Sequence, residues 1–168
     1  MVKRYFLISL LALVTAAVVF YAVHRIFRSE ETVIKRQISS AASVLNKDRA
    51  EQTPPILTIT RRMHELLSDP CTVTLQKTSF TGRYSPQDIA AYVVQARSSF
   101  TGIEVSVHGI NITILEPDRA HAGFTVRFRG EQNAQDPVHD IREITATLVK
   151  NGGRWRFRDI EEVEILRR

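Results

Sequence analysis

Three side chains have the types that proton-transfer chemistry uses: His108, Asp88 and Tyr92. A general acid or base needs a titratable group inside a pocket, with its pKa set by burial and a partner. His108 precedes Gly109 within a strand-like stretch, where a β-bulge can re-aim a side chain. Asp88 and Tyr92 follow Ser85-Pro86, which reads as a helix start: Ser85 caps, Pro86 suits the first position and Asp88 completes a capping arrangement. Asp88 therefore has two competing uses, as a cap and as a pocket acid, and the cap accounts for it without a pocket. Other chemistries find less in the sequence. No two of the five histidines show a short metal-ligand spacing, so no metal site is expected; His64, His121 and His139 read as edge or boundary residues. The single Cys71 excludes an intrachain disulfide and reads as a small buried thiol heading the strand-like CTVTL. There is no Ser-His-Asp order, phosphate loop or paired-carboxylate motif, and no cofactor is implied.

The elements that must position these groups follow from periodicity. Ile34, Ile38, Ala41 and Leu45 fall on one helical face. Pro54-Pro55 precedes a second helix lined by Ile56, Ile59, Met63, Leu66 and Leu67, which Asp69-Pro70 should end. A short strand Cys71 to Leu75, a turn or strand from Phe80 to Tyr84, and a capped helix running to Ser98-Ser99 come next. Alternating runs then predict four strands between Ile103 and Leu166. The alternation changes parity across His108-Gly109, which predicts a bulge and a bent strand. The expected architecture is α+β, about three helices on a strongly curved antiparallel sheet. By alternation its inward face carries Phe124, Val126, Phe128, Ile144, Ala146, Leu148, Trp155 and Phe157, apolar throughout, with Tyr92 contributed from the helix. Arg127, Arg129, Arg154, Arg156 and Arg158 fall on the outer face. Asp159, Glu161, Glu162 and Glu164 read as a solvated acidic edge.

Ahead of this domain, Tyr5 to Val23 is an uncharged apolar run that would reach about 28 Å as a helix, close to the hydrocarbon thickness of a bilayer. It ends in Phe20-Tyr21-Ala22-Val23-His24-Arg25, with bulky residues where signal-peptide cleavage needs small ones. The reading is an uncleaved signal anchor over 1–28 and one domain over 29–168. The net charge of +5 does not imply nucleic acid: several basic residues flank the apolar run, and the others are interleaved with acids. Basic residues on the far side of the run count against export, whereas the short N-terminal tail favours it. The expected location is a bacterial inner membrane, single-pass, with the domain in the periplasm.

These residues carry a resemblance over roughly Glu30 to Leu166. The segment MHELLSDPCTVTL, the capped helix YSPQDIAAYV and the closing KNGGRWRFRDIEEVEIL, with Gly153, Trp155 and Phe157 in a Gly-x-Trp-x-Phe pattern, resemble the nuclear transport factor 2-like superfamily, also called SnoaL-like or cystatin-like. More narrowly, the chain is similar to small bacterial proteins with one such domain behind a membrane anchor. The resemblance implies a cone-shaped fold and permits two functions, since fold alone does not specify chemistry. One is a binding or assembly domain, using the apolar cone for a small apolar ligand, or the sheet face for a homodimer or an envelope protein partner. The other is a small isomerase- or hydrolase-type enzyme using His108, or Asp88 with Tyr92. The apolar inward set favours the first.

Overall fold

In the structure, a computed structural model, residues 30–49, 54–75, 80–132 and 136–163 are described. The apolar run Tyr5 to Val23 lies outside them; among the described residues no helix is long and apolar enough to cross a membrane. The chain divides between Val33 and Ile34, and the account below concerns the unit from Ile34 onward.

Among the described residues, three helices and six strands make up this unit. Helix α1 is described over 30–45, of which 34–45 belong to this unit and bury Ile34, Ile38 and Val44. Helix α2 (Ile56–Leu66) starts after Pro55 and buries Ile59, Met63 and Leu66. Helix α3 (Pro86–Ser99) begins with the capping box expected from its sequence. The strands are β1 (Leu67–Thr74), β2 (Thr81–Tyr84), β3 (Gly102–Glu116), β4 (Arg119–Glu131), β5 (Val138–Asn151) and β6 (Arg154–Glu162), in the order β2-β1-β6-β5-β4-β3. Two expectations are corrected. The sheet is mixed, because β1 runs parallel to β6. Asp69-Pro70, joined by a cis bond, lies inside β1 rather than ending α2, and Leu67 already belongs to the strand.

Two of the register shifts in the sheet bear on the site. Between His108 and Asn111, β3 advances three residues while β4 advances two, and Gly109 adopts φ 63°, a left-handed conformation that glycine takes without steric cost. The second lies in β6: Leu148 pairs with Phe157, yet Thr147 pairs with Asp159, leaving Arg158 as the extra residue. Alternation before and after it is therefore out of phase. Trp155 and Phe157 face inward, and so do Ile160, opposite Ala146, and Glu162, opposite Ile144.

The inward face changes character along the strands. At the end near the β5–β6 turn, Ala120, Ala122, Ala146 and Leu148 are almost fully buried. Their small side chains leave room for the helices, and Ile38, Met63, Leu66 and Val93 join Trp155 and Phe157 in one core. Further along β4, Phe124, Val126 and Phe128 remain only half-buried. The helices thus close one end of the cone and leave the aromatic end partly open.

Candidate functional site

The open end holds a charged cluster that alternation places on the same face as the aromatics. Counting back from Ile144 along β5 brings Arg142 and Asp140 inward, where they stand opposite Val126 and Phe128 of β4. Glu162 enters from β6, moved inward by the Arg158 bulge. The Arg142 Nε donates to Asp140 Oδ2 at 2.6 Å and its Nη1 donates to Glu162 Oε2 at 3.0 Å. Glu162 is 5% exposed, whereas Asp140 is partly open to solvent. A buried carboxylate persists only if paired, and Arg142 supplies the partner. Phe100 packs edge-on to Phe128 with 5.5 Å between centroids. It lies over Gly130, where an added Cβ would meet its ring at 2.5 Å, so glycine is what lets the ring sit there.

The expectation of a wholly apolar inward set is thereby corrected. Phe124, Val126, Phe128, Ile144, Leu148, Trp155 and Phe157 do share the inward face. Leu148, Trp155 and Phe157, however, are sealed in the core, with Trp155 only 2% exposed. Glu162 is not a solvated edge residue. One signal could have exposed it. Strict alternation from Phe157 would drop Asp159 and Glu161 into the cone, and a one-residue shift replaces them with Ile160.

The residues picked out for proton transfer stand elsewhere. His108 pairs with Thr125 on the outer face, is exposed, and has Ser106 Oγ at 3.1 Å from its Nε2. Tyr92 is 47% exposed and lies edge-on to Phe80 and Tyr84, at 4.7 and 6.0 Å, rather than on the inward face of the sheet. Asp88 serves the helix start. Its Oδ2 accepts from the Ser85 hydroxyl at 2.7 Å and backbone N–H at 3.0 Å, while its own N–H donates to Ser85 Oγ at 3.2 Å. These bonds hold the Asp88 carboxyl below the usual range, the side-chain bond contributing most. Its folded pKa is thus depressed, so its stabilising contribution is present at neutral pH and lost as pH falls through that value. We expect Ser85→Ala to cost about 1 kcal/mol. The gap in melting temperature between wild type and Asp88→Ala should shrink below about pH 4. A constant gap down to acid would show that the carboxylate does not support the cap.

Cys71 is fully buried and burial pushes its thiol up to about 12, with nearby Asp159 adding to the rise. Thiolate is the reactive form. Native protein should therefore resist maleimide until unfolded; rapid native labelling would show that β1 opens.

A cleft of about 330 Å³ lies at the start of β3, lined by Lys47, Arg49, Glu104, Arg129 and Glu131 among others. Glu104 and Arg129 place it beside the outer face, and Arg49 and Arg129 both pair with Glu131. Arg49 Nε meets Glu131 Oε2 at 2.6 Å, which holds the Glu131 carboxyl below its usual range. Lys47 Nζ donates to the carbonyls of Arg97 and Phe100 at 2.6 and 2.8 Å. This seam ties the end of α1 to β4 and to the end of α3.

No protein-family model matches the chain, and no curated protein does. Solved structures do. The Kfla4162 protein from Kribbella flavida superposes with TM-score 0.68 at 14% identity, covering 81% of this chain and 90% of that one. A hexachlorocyclohexane dehydrochlorinase of LinA type from Novosphingobium barchaimii gives 0.61 at 12% identity, with 80% and 86% covered. A protein with a cystatin-like fold from Caulobacter vibrioides gives 0.56 at 14%, with 80% and 89% covered. At such identities the likeness shows the fold: this is the nuclear transport factor 2-like, cystatin-like cone.

Proposed function

We propose that the domain is a non-catalytic binding module, carried outside the cytoplasm behind the Tyr5 to Val23 anchor, and that its half-open cone takes a small, largely apolar ligand. One observation carries this reading. The polar groups at the open end are an arginine and two carboxylates already bonded to it, set among Phe100, Phe124, Val126 and Phe128. A proton-transfer site needs a base with a free lone pair aimed at substrate and a pKa near the working pH. Here each carboxylate has one oxygen bonded to Arg142, which fixes it as an ion-pair partner, and His108 stands on the opposite face. Such a cluster suits fixing the mouth of an apolar pocket and giving a ligand one polar reference point.

The test is native mass spectrometry of the detergent-solubilised full-length chain, beside a Val126→Arg variant checked for an unchanged melting temperature. A retained small molecule that the variant loses supports the reading. A protein partner retained equally by both forms, with no small molecule, overturns it in favour of assembly through the outer sheet face. Turnover of the retained molecule would overturn its non-catalytic part.

A further inference from the structure

We propose that the later half of strand β3, from Ile110 to Ile114, is a pairing edge for a second copy of this chain. The two strands run antiparallel about a two-fold axis at Ile112. The inference is independent of the ligand reading above.

The sheet ends in β2 on one side and β3 on the other, and an open edge offers N–H and C=O groups to another strand. Strand β2 is only four residues long. Strand β3 has 15, and its first part is covered. Ile103 exchanges both main-chain bonds with Lys47, at 2.8 and 2.9 Å, and the Val105 N–H donates to Asn46 Oδ1 at 2.6 Å. Ile103 and Val105 thus direct these groups away from β4, and Val107 continues the series. The bulge between His108 and Asn111 shifts that phase by one residue. Beyond it Ile112 and Ile114 aim their main-chain groups at the edge, while Asn111 and Thr113 turn theirs to β4. Among the described residues, no strand or loop pairs with this part of the edge.

Past the bulge the sequence does nothing to discourage pairing. Gly109 to Leu115 holds no charge and no proline, and Ile110, Ile112 and Ile114 pack on the core yet stay only half-buried. The order of residues selects a second copy as the occupant. An antiparallel axis at Ile112 sets Ile112 against itself, Ile110 against Ile114, and Asn111 against Thr113. Isoleucine then meets isoleucine on the inward face, and an amide meets a hydroxyl on the outer one. A charge on the axis would face its own copy, and none is there. The same axis carries Leu115, 52% exposed, to the other copy's bulge, where a Cβ added to Gly109 would meet nothing. So short a contact falls below the about 1,200 Å² of a stable interface, which makes the pair reversible and dependent on concentration.

The experiment is disulfide cross-linking of the full-length chain in detergent, using differently tagged Asn111→Cys and Thr113→Cys proteins, alone and mixed. Both positions are exposed, and native Cys71 is buried. In this register residues 111 and 113 of opposite copies form a non-hydrogen-bonded pair, with Cα atoms about 4.5 Å apart, close enough for a disulfide. Oxidation of the mixture at about 100 μM should give mixed dimer at least about fivefold above either self-dimer, with the yield falling on dilution. Ile112→Lys, placed in both proteins and checked for an unchanged melting temperature, sets two cations on the axis and should lower that yield at least about tenfold. The register ratio is read without this variant. Equal yields from all three combinations, or no cross-link at the highest concentration, overturns the inference. Ile141→Cys lies on the outer sheet face, opposite Arg127. Stronger cross-linking there than between 111 and 113 would move the dimer to that face and overturn the pairing of edges.

Discussion

Trp155→Ala is expected to destabilise the domain by about 3–5 kcal/mol, read as a shifted denaturation midpoint at unchanged slope. Trp155 is 2% exposed and belongs to the core shared by β5, β6 and the helices. Its carbonyl also receives the Gln37 side chain, and Lys150 Nζ lies 5.7 Å from the centre of its ring. Deleting the indole removes a large apolar surface and leaves a void among Leu148, Phe157 and the α1 face, which backbone pairing keeps from collapsing. The loss should appear equally in the apo protein and in one carrying ligand, because Trp155 lies in the sealed end and not at the mouth. A loss well below a kilocalorie would mean that β6 does not close the cone as described.

The same residue shows why part of this fold could be read in advance. Trp155 and Phe157 alternate cleanly after a two-glycine turn, and Gly152 and Gly153 take φ of 58° and 77° there. Alternation is a local property, visible wherever one face is buried. The first bulge was legible for the same reason, since Ile103, Val105 and Val107 precede it while Ile110, Ile112 and Ile114 follow it on the other parity. The bulge at Arg158 was not. It sits in a run of charged residues where only Ile160 marks the inward phase. Missing it turned Glu162 outward, and the Asp140–Arg142–Glu162 cluster disappeared from view. Arg142 and Asp140 were themselves reachable by continuing the β5 alternation two steps beyond Ile144. A polar residue at an inward position, however, looks like the end of a strand until its partner is known. That partner comes from another strand, and the parallel docking of β1 on β6 is non-local in the same way. Asp88 illustrates the converse: its capping role is encoded within four residues and was legible in full.

The second large effect is expected at Arg97, whose buried position alternation and capping rules do not reveal. It sits in the last turn of α3 at 2% exposure, and its Nη1 donates to the carbonyls of Val44 and Asn46 where α1 ends. Helix ends leave carbonyls without intrahelical partners, and a cation nearby also meets the negative end of the dipole. The arrangement is reciprocal: Lys47, just past α1, donates to the carbonyls of Arg97 and Phe100 at the end of α3. Asn46 completes the joint, its Oδ1 accepting the Val105 N–H at 2.6 Å and fixing the start of β3. Arg97→Leu keeps much of the apolar bulk but strands two carbonyls in a buried place, and should cost about 3 kcal/mol. Lys47→Met, at a half-buried position, should cost about 1 kcal/mol. The two donors brace one joint, so the double variant should lose less than the two single losses added together. Chemical denaturation of the four proteins measures this directly. Strict additivity would show that the two helix ends are capped independently, and an Arg97→Leu protein as stable as wild type would remove the joint from the account of what holds α1 across the cone.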